Sequence, residues 1–271
     1  MKYSALPLLF ALGAMVTLTA CATIGPPQPP SLDLPKPPQD LRATRKGDHV
    51  ALTWTIPNST TDRQTLRSVG PTLICRGQTE EMKECGTPVG QAAPGDTTNN
   101  GGAKRKNAAT FNDQLPSGID RNNFYGFVTY AVEVLNRNGR GAGLSNQVRV
   151  SLAPSLPPPG DFQAHVTRDG VVLSWSKISP PETVPSGIRF LIRIYRREDD
   201  SAQQTVVSEA GIEGQSTLTD SGIEWEKTYE YRAEMVTVVR ETNGSQAQVE
   251  GDDTPELKVF AHDVFPPGVP S

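Results

Sequence analysis

The chain has 271 residues, of which 36% are hydrophobic and 6% aromatic, and its formal net charge is -4. This length allows about two domains of ordinary size, and the 24 glycines and 24 prolines predict many turns and extended segments. An acidic chain without a long run of Lys or Arg is poorly suited to bind nucleic acid or an anionic membrane surface, so neither partner is expected.

The first twenty residues have the pattern of an export signal. Lys2 is followed by an apolar stretch at 5–18, which is too short to span a membrane and typical of a signal peptide. The next residues, LTAC at 18–21, resemble the bacterial lipobox. That resemblance implies cleavage before Cys21 and a diacylglyceryl group on its sulfur, which would anchor the protein in a membrane. The alternative is an ordinary secretory signal in which Cys21 is incidental.

A proline-rich segment separates this signal from the rest of the chain. Residues 21–34 are expected to be the lipid anchor and linker, and the prolines between 22 and 38 exclude helix and favour polyproline II. The segment is either a stiff spacer or a disordered stub. Ala22 follows the cysteine where the enterobacterial pattern places Asp in inner-membrane lipoproteins, so the resemblance implies the outer membrane.

An internal repeat organises the remaining sequence. Residues 40–54 (DLRATRKGDHVALTW) align without a gap to residues 161–175 (DFQAHVTRDGVVLSW), and each copy predicts two strands joined by a tight turn. Each second strand alternates with period two and ends in a tryptophan, Trp54 or Trp175. Both rings are expected in the core, where burial contributes about 2–3 kcal/mol each. Carbohydrate stacking by these rings is the functional alternative.

Two further blocks recur later in each copy. Residues 128–134 and 229–235 alternate cleanly, and 72–76 matches 192–196 as a central strand. Together with the preceding prolines and the Val-x-Leu-x-Trp strand, these motifs resemble the fibronectin type III family, an antiparallel β-sandwich. The resemblance predicts an all-β chain with two tandem fibronectin type III/immunoglobulin-like domains after the signal peptide and linker.

The resemblance also sets the expected boundaries and core. The first copy departs from the family pattern because Val128 stands where the second copy has Tyr229. The predicted segments are a signal peptide at 1–20, a first domain at 35–153, a second domain at 157–265 and a tail at 266–271. The tyrosines expected in the two cores are Tyr130, Tyr229 and Tyr231.

Several irregular segments leave alternatives open. Residues 92–107 are expected to form a flexible insertion. Residues 241–254 are expected to be a polar segment, in place of the turn at 136–139 and the Ser145-Asn146 pair of the first copy. The acidic stretch 250–253 could hold Ca²⁺ or be a solvated loop. Trp225 is either at the edge of the core or an exposed contact. The end of the chain looks like a short tail or the start of a third copy.

The remaining cysteines are expected to pair. An exported protein with Cys75 and Cys85 left over predicts a disulfide between them. A redox or metal pair is the alternative, although nine residues separate the two and no His is close in sequence.

No catalytic set, metal site or cofactor motif is identified. The three histidines, His49, His165 and His262, are scattered, and no nucleophile motif is present. The expected function is a non-enzymatic, membrane-anchored envelope lipoprotein, acting as a spacer or as an interaction platform for an envelope protein or glycan. The alternative is an accessory subunit of an envelope enzyme or of a secretion or assembly complex.

Overall fold

The computed structural model describes residues 32–94, 107–116, 123–240 and 244–264. These residues form fifteen β-strands and no helix, so none of them lies in a helix that could span a membrane. The predicted all-β class is confirmed. The predicted signal peptide, Cys21 and the tail at 266–271 lie outside the described residues, as do most of the linker and most of the insertion.

The first module is an antiparallel sandwich of two sheets. Its strands are β1 (Arg42–Lys46), β2 (His49–Thr55), β3 (Thr72–Gly77), β4 (Gly90–Ala92), β5 (Ala108–Gln114), β6 (Phe127–Val134) and β7 (Val148–Ser151). One sheet has the order β1-β2-β5 and the other β4-β3-β6-β7. Val50, Leu52 and Trp54 alternate with exposed residues along β2 and meet Ile74 and Tyr130 of the opposite sheet in one hydrophobic core.

The second module repeats this plan with one elaboration. Its strands are β8 (Gln163–Thr167), β9 (Gly170–Ser174), β10 (Ile188–Glu198), β11 (Gln204–Gly211), β12 (Thr217–Asp220), β13 (Lys227–Arg240), β14 (Gln246–Asp253) and β15 (Leu257–Ala261). The sheet β12-β9-β8 faces the sheet built on β10 and β13 across a second core. The first half of β13 pairs with β15 and its second half with β14.

Most of 241–254, which the sequence predicts to be a polar segment, forms strand β14. Its residues pair antiparallel with β13, and Val249 is buried. Polar residues are tolerated on β14 because they lie on the outer face of the sheet, where long cationic side chains pair with them.

The two sandwiches share one continuous sheet. Strand β14 pairs in parallel with β1, where Lys46 lies opposite Glu250, so the sheet order runs β11-β10-β13-β14-β1-β2-β5. The Gly47 amide also donates to the Glu250 carbonyl at 2.7 Å. Gly47 has a φ of 54°, and a Cβ at this position would collide with the Asp252 side chain. The left-handed backbone conformation therefore favours glycine at this turn.

A third hydrophobic cluster fills the junction between the modules. Phe124 and Ala153 of the first module contact residues of the second, and the Phe124 and Phe190 rings pack edge to face with centroids 6.5 Å apart. The buried members contributed by the second module are Ile188, Phe190, Val239 and Val249.

Candidate functional site: the inter-module junction and the exposed aromatic face

The predicted core residues lie in the cores of the two modules. Trp54 and Tyr130 are buried in the first core, and Tyr229 and Tyr231 in the second. Trp175 is only partly buried and packs against the edge of the second core. Packing against the cores accounts for both tryptophan rings without a carbohydrate ligand.

Each module contains the same buried polar triad. In the first, the Tyr130 hydroxyl donates to Asp113 Oδ2 at 2.6 Å, and Arg76 forms an ion pair with the same carboxylate. In the second, the equivalent residues are Tyr231, Asp220 and Arg196, with the hydroxyl 3.0 Å from Asp220 Oδ2 and the guanidinium 2.9 Å from it. The two modules therefore share a set of buried polar interactions as well as a hydrophobic pattern.

These triads make the folded state less stable at alkaline pH. Burial raises the pKa of Tyr130 and Tyr231 well above the ordinary value of 10.0, and the neighbouring Asp113 and Asp220 carboxylates raise it further. A raised pKa favours the neutral phenol in the folded state, so this stabilisation is present below about pH 10 and lost as pH rises further. We expect both phenols to ionise only together with loss of the β-sheet circular dichroism signal.

A phenolate absorbance titration checks this expectation. Tyr231→Phe should remove one late-ionising phenol and leave the other unchanged, which identifies the signal. Complete, reversible ionisation of every tyrosine in chains that remain folded would contradict the triad geometry.

The two modules differ at the turn before the triad strand. The Tyr229 hydroxyl accepts a hydrogen bond from the Glu224 amide at 2.9 Å, which ties the turn to β13. Val128, at the equivalent place in β6, is buried but cannot make this bond. The departure noted in the sequence is therefore a lost hydrogen bond within an otherwise matched core.

The predicted disulfide is confirmed. Cys75 on β3 is bonded to Cys85, with an S–S distance of 1.97 Å. The segment between them is held against the module because the Met82 amide donates to Gln147 Oε1 at 2.8 Å and the Gln147 amide group donates back to the Met82 carbonyl. This pairing replaces the redox or metal alternative.

The acidic stretch 250–253 takes part in ion pairs. Among the residues that the structure describes, no three His, Cys, Asp or Glu side chains lie together in a way that could hold a metal ion. Within 250–253, Glu250 pairs with Arg193, and Asp253 pairs with Arg232 and Lys46. The interpretation of this stretch as a solvated loop is wrong because these residues belong to β14.

A buried carboxylate lies where the modules meet. The Glu234 side chain on β13 is 0% exposed, and Lys46 of the first module reaches it with Nζ 2.8 Å from Oε2. The Tyr195 hydroxyl donates to Glu234 Oε1 at 2.6 Å, and Arg193 Nη1 lies 3.5 Å from the same oxygen. Burial and this hydrogen bond raise the Tyr195 pKa. Three donors thus compensate one buried charge, and one of them, Lys46, comes from the first module.

Charge pairs continue from Glu234 over the outer face of the second module. Arg193 also binds Glu209 at 2.7 Å and Glu250 at 3.2 Å, while Lys46 binds Asp253 at 2.8 Å. Together with Glu234, these residues come from five neighbouring strands, β11, β10, β13, β14 and β1, so the network crosses the shared sheet. Because several charges share partners, the network holds its geometry better than isolated surface pairs would.

Arg45 holds the junction from the side of the first module. Its Nη1 donates to the carbonyls of Ser151 and Ala153, at 2.5 and 2.9 Å, and its Nε donates to Gly47 O at 2.8 Å. These bonds fix the β1–β2 turn and the segment that leaves β7. The Thr237 hydroxyl donates to the Pro154 carbonyl at 2.7 Å and anchors the connection between modules.

Trp225 is exposed and not at the edge of a core. It lies in the turn before β13, six residues ahead of Tyr231, just as Phe124 lies six residues ahead of Tyr130. Phe124 is 8% exposed because the second module covers it, whereas Trp225 is 36% exposed at the far end of the second module.

The Phe260 and His262 rings are exposed at the same end of the second module. They stack with centroids 5.5 Å apart and planes inclined by 10°. His262 also lies 2.8 Å from Glu226 in the turn that contains Trp225. We call Trp225, Phe260 and His262 the exposed aromatic face.

The sequence does not predict the junction, although the pattern of β13 contains one indication of it. From Met235 to Val239 the residues of β13 are buried on both sides, so the alternation of the preceding residues stops there. A strand buried on both faces must be covered on both faces. Lys46 gave no comparable signal because a lysine in a tight turn is usually solvated.

The comparisons with known proteins give matches in structure and none in sequence. No protein-family model matches the chain, and no curated protein matches its sequence. Among solved structures, the chain is similar to the FN1–FN3 domains of chicken CNTN1, with 9% sequence identity and a TM-score of 0.39. That match covers 85% of this chain and 69% of the other.

Proposed function

We propose that this chain is a non-enzymatic bacterial envelope lipoprotein, tethered to the outer membrane through a lipid on Cys21. Its two sandwich modules act as a single structural spacer and as an interaction platform for an envelope protein or glycan. The observation that carries the proposal is the junction, where a shared sheet, a hydrophobic cluster and the buried Glu234 join the modules. No cofactor or nucleic-acid partner is part of this proposal.

The junction supports a spacer role for a physical reason. Modules joined by a flexible linker alone would take many relative orientations, whereas a continuous sheet and a buried ion pair favour one orientation. A tethered platform of fixed geometry presents its binding surfaces at a defined distance from the membrane. The lipobox-like residues 18–21 and the proline-rich linker support the tether.

The exposed aromatic face favours a second candidate, a role as an accessory subunit of an envelope enzyme or of a secretion or assembly complex. The equivalent position in the first module, Phe124, is covered by another sandwich. Trp225 and Phe260 are exposed aromatic rings that a partner module would cover.

Replacing the anchoring cysteine tests the tether. Cys21→Ser is expected to abolish incorporation of labelled palmitate and to move the protein from the membrane fraction to the soluble envelope fraction. The circular dichroism spectrum should not change, because Cys21 precedes the described modules.

The matched control removes the other two cysteines. Cys75→Ser combined with Cys85→Ser should keep the palmitate label and the membrane association. The lipid anchor would be ruled out if the wild-type protein did not incorporate the labelled palmitate. It would also be ruled out if the Cys21→Ser variant still fractionated with the outer membrane.

A further inference from the structure

Two arginines at the edge of the charge network have no carboxylate partner among the described residues. Arg189 on β10 lies opposite Val238, and Arg240 lies two residues further along β13, so both side chains are on the outer face. Both are exposed, and no ion pair within the described ranges involves either of them. Within the described part of the chain, neither positive charge is compensated by a carboxylate.

A cleft lies beside these arginines. It consists of two adjoining cavities of about 550 and 400 Å³ that share Gly187 and Arg189. The larger cavity has aliphatic walls, including Val184, Leu191 and Ile212. The smaller one is lined by Arg189 and Arg240. The cleft thus consists of a mainly apolar cavity next to a cationic one. Each cavity has a volume in the range usual for ligand sites.

Contacts from the first module hold the cleft in shape. The Tyr125 hydroxyl donates to the Ser186 carbonyl at 2.8 Å, on the segment that forms the cleft floor. The next residue, Gly187, has a φ of 91°, and a Cβ there would lie 3.4 Å from the Arg240 Cβ. The left-handed backbone conformation of Gly187 favours glycine here, and the Tyr125 bond links this segment to the first module.

We propose that this cleft binds an acidic peptide segment of a partner protein. A carboxylate of the peptide pairs with Arg189 and Arg240, and a neighbouring aliphatic side chain enters the larger cavity. Glu213 lines only the larger cavity, so the anionic group is directed toward the arginines. The inference deepens the interaction role in the proposed function and does not depend on the lipid anchor.

The lining favours a peptide over other anions. Pro, Val, Leu and Ile side chains suit aliphatic residues, and no exposed aromatic ring lines either cavity as a stacking platform for a sugar. The chain as a whole carries a net charge of -4, which disfavours nucleic acid and anionic bilayers. A short acidic segment can pair with the two arginines without approaching the acidic surface of the rest of the protein.

A peptide titration followed by amide NMR tests the proposal on the full exported chain, kept soluble by Cys21→Ser. The probe is an acetylated, amidated hexapeptide of alternating leucine and glutamate. We expect saturable shifts centred on Gly187, and about tenfold weaker binding when glutamine replaces glutamate in the peptide. Arg189→Gln combined with Arg240→Gln should weaken binding of the acidic peptide by about tenfold or more.

Arg168→Gln is the matched control. Arg168 is an exposed arginine at the β8–β9 turn of the same module, so its loss changes net charge without touching the cleft. Affinity should stay at the wild-type value. Absence of shifts near Gly187, equal loss with Arg168→Gln, or displacement of the peptide by anionic vesicles would overturn the proposal. Failure of the lipid anchor would instead appear only in the fractionation of Cys21→Ser.

Discussion

Replacing Glu234 by alanine is expected to lower the free energy of unfolding by about 3 kcal/mol and to uncouple the two modules. The substitution removes a carboxylate that is 0% exposed and leaves Lys46, Arg193 and the Tyr195 hydroxyl without their shared partner. The loss is at the low end for a buried ion pair because Lys46 is partly exposed and can recover hydration.

Differential scanning calorimetry is the measurement for Glu234→Ala. The wild-type chain should unfold in one transition because the modules share a sheet and the junction cluster. The variant should show two resolved transitions, one for each core. Lys46→Met should also split the transition, since it breaks the same contact from the side of the first module.

Glu209→Ala provides the matched control. Glu209 pairs with Arg193 in the same network, but its side chain is 39% exposed and it lies on β11, the edge strand at the other end of the sheet from the first module. Its loss should change stability by no more than about 0.5–1 kcal/mol and leave a single transition. If Glu209→Ala and Glu234→Ala have the same effect, the buried carboxylate has no special role in the junction.

Replacing Asp220 by alanine is expected to destabilise the second module by about 3–5 kcal/mol. Asp220 is buried and accepts the Tyr231 hydroxyl while pairing with Arg196. Without it, a buried phenol and a mostly buried guanidinium lose their acceptor together. Asp220→Asn should cost less, because the amide oxygen still accepts a hydrogen bond from Tyr231.

The first module supplies the matched experiment. Asp113→Ala removes the same group from the Tyr130–Arg76 triad and should destabilise the first module by a similar amount. Amide hydrogen exchange separates the two cases, since each variant should lose protection mainly in its own core. A variant that weakens both cores equally would show that the triads act through the junction and not locally.

The sequence predicts the architecture well because local patterns determine it. Alternation along 49–55 places Val50, Leu52 and Trp54 on one face, and the structure buries all three. The tyrosines of the second repeated block alternate in the same way and are buried. The Cys75–Cys85 pair follows from export chemistry and elimination, and the structure contains it.

The junction could not be predicted because its partners are far apart in the chain. Lys46 and Glu234 are 188 residues apart, and alternation reports which side chains share a face but not what covers that face. The same limit explains why β14 appeared to be a polar segment. Its acidic residues are compensated by Arg193 and Arg232 on other strands, which local composition does not reveal.

Trp225 shows how the structure resolves an ambiguity that the sequence leaves open. Its match in the first copy becomes clear only when the turns before β6 and β13 are compared, which equates it with Phe124. The junction covers Phe124, whereas Trp225 is exposed at the far end. An internal repeat thus predicts that the two copies have similar cores. It does not predict which copy has its turn residue covered by another module.

Residual dipolar couplings of the backbone amides test most directly whether the two modules form one rigid unit. We predict that a single alignment tensor fits the couplings of both modules in the wild-type chain, and that Glu234→Ala requires two. Two different tensors for the wild-type modules would show that they reorient independently, and would contradict the account.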